Sequence, residues 1–156
     1  MKKILTIVLA TIIGVSAASA QYYKQSIGIR LGYDIAANYK YNFNAKNFID
    51  VTAAVVPWGG YVSIYGIVSF NWNWNFDAVP GLSAYVGPGI GLGCWYLDYF
   101  EASINCNGGV EYSFLPRFNV PIALSLDVTP GYGFIVGYES TGAYVGSSGI
   151  TVKYTF

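Results

Sequence analysis

From residue 26 onward the chain alternates apolar with small or polar residues, period two. Residues 26–33 set Ile27, Ile29, Leu31 and Tyr33 on one face and Gly28, Arg30 and Gly32 on the other, which is the signature of a β-strand. Seven more segments repeat it. Tyr39, Tyr41 and Phe43 oppose Asn38, Lys40 and Asn42, and Ile49, Val51, Ala53 and Val55 oppose Asp50, Thr52 and Ala54. A longer fourth strand sets Val62, Ile64, Val68, Phe70, Trp72 and Trp74 against Ser63, Tyr65, Ser69, Asn71 and Asn73. The fifth sets Leu82, Ala84, Val86, Ile90 and Leu92 against Ser83, Gly87, Gly89, Gly91 and Gly93. The last three run through Val110–Phe114, Ile122–Thr129 and Ile150–Phe156. No stretch with helical periodicity competes, so eight strands are predicted.

The connections predict how the strands are joined. Asn44–Asn47 reads as a tight turn, and 75–81 and 115–121 as modest turns containing Pro80, Pro116 and Pro121. Loops are expected around 34–37, 57–60, 97–105 and 134–142, with the longest on the side away from the termini. Eight antiparallel strands put both termini at one end, with three turns there and four loops opposite. Pro88 and Pro130 fall inside strands, where each removes a ladder donor, so a local bulge is expected at both.

The first twenty residues stand apart. Lys2 and Lys3 precede an apolar run from Ile4 to Val15, and Ala18-Ser19-Ala20 offers a small-x-small cleavage site. This is the pattern of a secretory signal peptide, and the run is short of the ~20 residues that span a bilayer. No Cys follows the site, which argues against a lipoprotein anchor. The expected organisation is a signal peptide at 1–20 and one β-barrel domain at 21–156.

Composition bears on which face of the barrel is inside. The chain is 54% hydrophobic, 18% aromatic and only 10% charged, against about 25% charged in soluble domains. A soluble barrel would put the apolar face in, and an outer-membrane barrel would put it out. Three features favour the second arrangement. The apolar face carries no charge in any strand. Its rings gather at strand ends, with Phe43, Trp72, Trp74, Tyr112, Phe114, Tyr154 and Phe156 towards the termini and Tyr33, Tyr61, Tyr96, Tyr132 and Tyr144 at the other end. The polar face is mainly Gly, Ser, Asn and Thr, small enough for a narrow eight-stranded lumen. There, glycines leave room for neighbours such as Tyr65 and Tyr85.

The strand charges are the third feature, because all share the polar face. Arg30, Lys40 and Lys153 balance Asp50, Glu111 and Asp127. Three against three suits mutual pairing in a closed lumen, where an unpaired charge is costly. A lipid-facing Lys or Arg would cost roughly 2–4 kcal/mol near the midplane. The lumen is therefore expected to be plugged by ion pairs.

The end of the chain carries a resemblance. Ile150, Val152, Tyr154 and the terminal Phe156 alternate with Thr151, Lys153 and Thr155, which resembles the assembly signal of bacterial outer-membrane barrels. The chain from 21 to 156 resembles the small eight-stranded OmpA/OmpX-type proteins. Tyr85-Val86-Gly87-Pro88-Gly89 is similar to a stretch found in one branch of small outer-membrane barrels. The resemblance implies a closed, all-β, up-and-down transmembrane barrel in the outer membrane of a Gram-negative cell. Both mature termini would lie in the periplasm. Its partners would be outer-membrane lipid, lipopolysaccharide and, during insertion, the barrel-assembly machinery, with a monomer as the expected state. The loops are shorter than those of the family's adhesive members.

Chemistry is largely excluded. The chain has no histidine, so no Ser–His, Cys–His or imidazole–metal site exists. Outer-membrane acyltransferases, deacylases and proteases of similar fold characteristically use histidine. A carboxylate pair such as Asp98 with Glu101 remains as an enzyme option, and a solvated polar loop facing lipopolysaccharide or cations is the favoured reading. A calcium bridge there has no ligand spacing to support it. Gly87-Pro88-Gly89-Ile90-Gly91 lies in a strand with no helix after it, so it is no phosphate loop. No cofactor, metal or nucleic acid is expected, and the chain is not expected to be an enzyme.

Cys94 and Cys106 flank the 97–105 segment with equal parity. If 95–105 closes a hairpin, they form a candidate disulfide in an exported chain; otherwise they are two free, lipid-facing thiols. The functional expectation is a non-enzymatic outer-membrane barrel with a structural or surface-interaction role. A narrow porin-like channel for ions or small solutes is the first alternative. An exported soluble barrel binding a hydrophobic ligand is the second.

Overall fold

The computed structural model describes residues 23–57, 62–95, 97–136, 141–144 and 147–156. The expected signal peptide at 1–20 lies outside the described residues, as do Tyr61 and Tyr96. The fold is all-β. Strands β1 (Gln25–Gly32), β2 (Ile35–Asn42), β3 (Asn47–Val56), β4 (Ser63–Asn75), β5 (Leu82–Trp95) and β6 (Tyr99–Ser113) follow one another in antiparallel hairpins. A single helical turn, α1 (Leu115–Phe118), leads into β7 (Ile122–Val128) and β8 (Gly131–Val136), then β9 (Thr141–Tyr144) and β10 (Ser148–Thr155). β10 pairs with β1 as well as β7, and β6 with both β5 and β7. The ring therefore closes on eight strands, and β8 and β9 extend the sheet from the upper half of β6.

The ladder registers give the shear of the barrel. Ser26, Lys40, Asp50, Ser69, Gly89 and Asn105 are successive partners from β1 to β6. Four residues further along β6, Gly109, Asp127, Gly149 and Gly32 close the ring six residues beyond Ser26. The two offsets together make a shear of ten residues. Eight strands at this shear tilt by roughly 40° and leave an interior that side chains alone can fill.

Strand parity now has a direction. Ile29 is 62% exposed and Ile90 65%, while Lys40 is 2% exposed and Glu111 3%. No charged side chain points outward from a ring strand among the described residues. Inside, besides polar groups, lie the small Ala36, Ala54 and Ala123 and the larger Phe48, Ile67 and Tyr85. Outward rings gather at the terminus end, where Phe43, Trp72, Tyr154 and Phe156 are all exposed, and at the far end, where Tyr33, Phe100, Tyr132 and Phe134 are exposed.

Several connections differ from expectation. Residues 99–105 are not a loop but the first half of β6, so the β5–β6 hairpin turns tightly. Gly131–Val136 and Thr141–Tyr144 are likewise strands, which shortens the loop expected at 134–142. The longest fully described connection, 114–121, is at the terminus end and contains α1. Pro116 is the second residue of that turn, and Asn119 ends it in the left-handed conformation (φ 55°), its N–H donating to the Leu115 carbonyl at 3.0 Å. Pro at the start and Asn in αL at the end are the residues such a turn favours.

The two prolines behave differently. At Pro88 the β4–β5 ladder skips the pairs Phe70/Pro88 and Asn71/Gly87 and resumes in the same register, so no bulge forms. The missing N–H only interrupts the ladder. Opposite Pro130 the register changes. Gly131 pairs with Tyr144, whereas the Thr129 N–H donates to the Ser147 carbonyl at 2.7 Å. The register thus shifts by one residue across Pro130, the offset that a β-bulge produces. On its other side, the Cys106 N–H donates to the Pro130 carbonyl at 2.9 Å and keeps β7 and β8 in one line along β6.

Gly81 closes the β4–β5 turn at φ +98°, and a Cβ there would strike the backbone carbonyl of Ser113. A Cβ at Gly66 would meet only the Thr52 carbonyl, at 3.8 Å. Gly81→Ala is expected to cost about 1–3 kcal/mol, and Gly66→Ala to be close to neutral. Urea unfolding midpoints followed by tryptophan fluorescence test the contrast; equal midpoints for the two variants would contradict it.

Candidate functional site

The candidate site is the lumen, because every buried charge among the described residues lies there. Strand alternation points Arg30, Lys40, Asp50, Glu111, Asp127 and Lys153 into it, all 8% exposed or less. Five of them, together with Asp34, form two ion-paired layers.

The layer nearer the termini centres on Glu111. Its Oε1 accepts from Lys40 Nζ at 2.8 Å and its Oε2 from Lys153 Nζ at 2.9 Å, so one β6 carboxylate ties β2 to β10 across the barrel. The Tyr23 hydroxyl donates to the same Oε1. Lys40 Nζ also sits 4.1 Å from the centroid of the Phe48 ring, with the Tyr85 ring edge-on to Phe48 at 5.2 Å. A desolvated ammonium over an aromatic face gains further attraction. Phe48 occupies an inward position of β3 that alternation allows but does not announce.

The far layer centres on Arg30. Its Nε and Nη2 each donate to Asp34 at 3.1 Å, and its Nη1 donates to Asp127 at 2.9 Å. The planar guanidinium thus satisfies one carboxylate with a fork and a second with its remaining arm. Asp34, expected to lie off the strands on the loop side, is fully buried, because the β1–β2 turn spans only two residues and folds it over the mouth. The Tyr65 hydroxyl donates to Asp34, and Ser125 and Thr151 hydroxyls donate to Asp127 at 3.3 and 3.2 Å. The i, i+4 spacing of Arg30 and Asp34 across so short a turn was the available signal for this pair.

Asp50 departs from the expected pairing. No cation lies within 4.0 Å of it among the described residues. It accepts instead from Asn38 Nδ2 at 2.6 Å and Thr52 Oγ1 at 3.1 Å. With Asp34 added to the three strand carboxylates, the buried charges of the lumen among the described residues are three cations against four carboxylates.

Amides and hydroxyls form a further buried network in the lumen. Asn107 Nδ2 donates to Asn71 Oδ1 at 3.1 Å, Asn71 Nδ2 to Ser69 Oγ at 3.0 Å, and Thr129 Oγ1 to Asn107 Oδ1 at 3.1 Å. The terminus-side mouth is covered by the β2–β3 turn. Lys46 and Asn47 N–H groups donate to Asn44 Oδ1 at 2.8 and 2.9 Å, and the Ala45 carbonyl accepts from Asn73 and Asn75 on β4. Beneath this cover, the cavity is about 20 Å³, room for one or two waters. Glycine creates the space for the large inward rings. A Cβ at Gly93 would lie 2.6 Å from Tyr65 Cβ, and one at Gly109 2.7 Å from the Tyr85 hydroxyl.

The cysteines are not brought together. In the β5–β6 ladder Cys94 faces Phe100 and Cys106 faces Pro88, and both thiols are free and exposed. The rung of Cys94 and the rung of Cys106 lie six residues apart, about 20 Å at the rise of a strand. A disulfide needs Cα atoms within about 7 Å. The candidate disulfide rested on a loop at 95–105, and the strand found there removes it. Among the described residues, no group of three or more Cys, Asp or Glu side chains is arranged to hold a metal ion.

The four residues of the C-terminal pattern, Ile150, Val152, Tyr154 and Phe156, point outward from β10 and are all more than half exposed. Backbone hydrogen bonds between Gln25 and Phe156, at 2.8 and 2.9 Å, fasten the chain's last residue to β1. No family model, curated protein or solved structure matches the chain.

Glu111→Gln leaves two buried ammonium groups sharing one neutral partner, and a cost of about 3–5 kcal/mol is expected. Asp50→Asn removes a buried charge that has no ion pair and should cost less than 1 kcal/mol. Denaturant midpoints in detergent separate the two; a larger loss for Asp50→Asn would overturn the assignment of Glu111 as the bridging anion. Both cysteines should alkylate fully without reductant, and a mass spectrum of unreduced protein lacking either adduct would show otherwise.

Proposed function

We propose that the chain is a non-enzymatic outer-membrane β-barrel of the small eight-stranded OmpA/OmpX type, plugged by its ion pairs. Its role is structural or surface-interacting in the envelope of a Gram-negative cell. The observation that carries this reading is the inverted distribution of polarity. Among the described residues the outward strand wall is apolar and uncharged while seven charged side chains are buried inside. Water would penalise that outer wall, whereas a bilayer rewards it. Closure supports the reading too, since a spanning sheet in lipid can leave no open edge.

On this reading the termini and the three turns face the periplasm, and residues 1–20 direct export. The outward Ile150, Val152, Tyr154 and Phe156 serve as the signal read by the assembly machinery. The partners are lipid and lipopolysaccharide, and the protein is a monomer. A hydrophobic-ligand carrier is disfavoured because the interior is lined by paired charges and amides, not by an apolar cavity. A diffusion channel is disfavoured because two ion-paired layers and the β2–β3 cover lie across the lumen.

Unboiled protein in detergent gels is expected to migrate faster than boiled protein and to fractionate with outer membranes. Planar bilayers holding the refolded protein are expected to show no discrete conductance steps. A single migrating form that stays in the soluble fraction would sink the membrane reading. Regular single-channel steps would leave the membrane reading standing and replace the plug with a pore.

A further inference from the structure

The described chain has six basic side chains, and the fold sorts them into two sets of three. Arg30, Lys40 and Lys153 are buried and ion-paired in the lumen. Lys24, Lys46 and Arg117 are exposed, all at the terminus end, and none has a carboxylate within 4.0 Å among the described residues. Lys24 precedes β1 and its carbonyl accepts from the Asn42 N–H at 2.9 Å. Lys46 lies in the β2–β3 turn, where its carbonyl accepts from the Asn73 N–H at 2.6 Å. Arg117 lies in α1, whose connection is tied to β10 by Thr155 N–H donating to the Pro121 carbonyl at 3.0 Å.

Around the ring, the β2–β3 turn, the start of β1, the end of β10 and the α1 connection are consecutive. The three cations therefore form one arc over half of the terminus-side rim. The negative groups at this end are the C-terminal carboxylate within the arc and Asp77 in the β4–β5 turn facing it. The far end is the opposite, with Asp98 and Glu101 and no basic side chain among the described residues. Below the arc the wall is ringed by exposed Phe43, Phe118, Tyr154 and Phe156. Lys24 Nζ lies 5.8 Å from the Tyr41 ring centroid and the Arg117 guanidinium 5.6 Å from that of Phe118. Cationic heads above aromatic stems suit an interface, where the chain lies in apolar surroundings and the charge meets headgroups.

We infer that Lys24, Lys46 and Arg117 form a binding surface for the phosphates of anionic phospholipids in the leaflet at the terminus-side end. The inference rests on the membrane-spanning reading above. It assigns each end of the barrel a leaflet chemistry, because basic side chains near an anionic surface are attracted cooperatively and in a salt-dependent way.

Tryptophan quenching by brominated lipids reads this directly. Trp72 pairs with Asn47, the neighbour of Lys46, and is exposed on the outer wall. In a Trp58→Phe, Trp95→Phe background, only Trp72 and Trp74 report, both on the terminus-side half of β4. The refolded full chain is placed in phosphatidylcholine vesicles doped with brominated phosphatidylglycerol or brominated phosphatidylcholine. Quenching is expected to favour phosphatidylglycerol by about five-fold at low salt. That preference should vanish in Lys24→Gln/Lys46→Gln/Arg117→Gln and weaken at high salt, and inorganic phosphate should leave it unchanged. Equal quenching by the two lipids, or a preference that survives in the triple variant, would overturn the inference while leaving the barrel reading intact. Loss of the preference on adding inorganic phosphate would also overturn it, by showing a free-anion site. Failure of the wild-type chain to float with either vesicle would sink the membrane reading and this inference together.

Discussion

Eight strands closed at a shear of ten residues enclose a space no wider than the side chains that fill it. Everything else in the structure follows from that narrowness. A wider barrel could hydrate its inward polar groups, but this one must pair them with each other. Glu111 therefore reaches Lys40 and Lys153, on strands four and two ring positions away, and Arg30 spans Asp34 and Asp127. The same limit explains why inward positions opposite Tyr65 and Tyr85 are glycines, and why one cavity beneath the β2–β3 turn holds only about 20 Å³.

Such pairing is a weak source of net stability, because desolvation offsets much of the Coulombic gain. Its stronger effect is on register. Sliding any strand by one residue would turn its charges outward onto an apolar wall and its leucines and isoleucines into the lumen. Lys40, Glu111 and Lys153 lie on three different strands and meet only when the ladders β1–β2, β1–β10, β7–β10 and β6–β7 are all in their native offsets. The ion pairs thus select one closed barrel among its shifted alternatives, and the outward apolar surface supplies the drive to place that barrel in a matching solvent.

Parity made most of this legible in the chain alone. Each inward charge on a strand stood opposite an unbroken apolar face, so both the eight ring strands and the membership of the lumen could be read from alternation. What alternation conveyed poorly was length and partnership. Phe100, Ala102 and Ile104 alternate with Glu101, Ser103 and Asn105 as regularly as any strand. The loop expected at 97–105 overlooks that alternation, and the candidate disulfide rested on the loop. Asp34 looked like a loop carboxylate because a two-residue turn cannot be told from a longer one by period alone. Asp50 looked paired because charge counting is blind to distance: its partners are Asn38 and Thr52, residues that no tally of opposite signs would select.

Pro88 and Pro130 show the same limit from another direction. Each lacks the same N–H, yet one leaves the register unchanged and the other accompanies a shift of one residue. The difference lies in what continues beyond them. β5 runs on for seven residues past Pro88, paired on both sides, so the ladder re-forms in register. Past Pro130, β8 pairs with both β6 and β9, but β9 pairs with β8 alone among the described residues. A neighbour that is itself held on both flanks, as β4 is, keeps its register across a lost donor, whereas one held on a single flank, as β9 is, can shift. The place where the closed eight-stranded ring gives way to the β8–β9 extension is therefore set by how many neighbours a strand has there, and the proline marks that place without causing it.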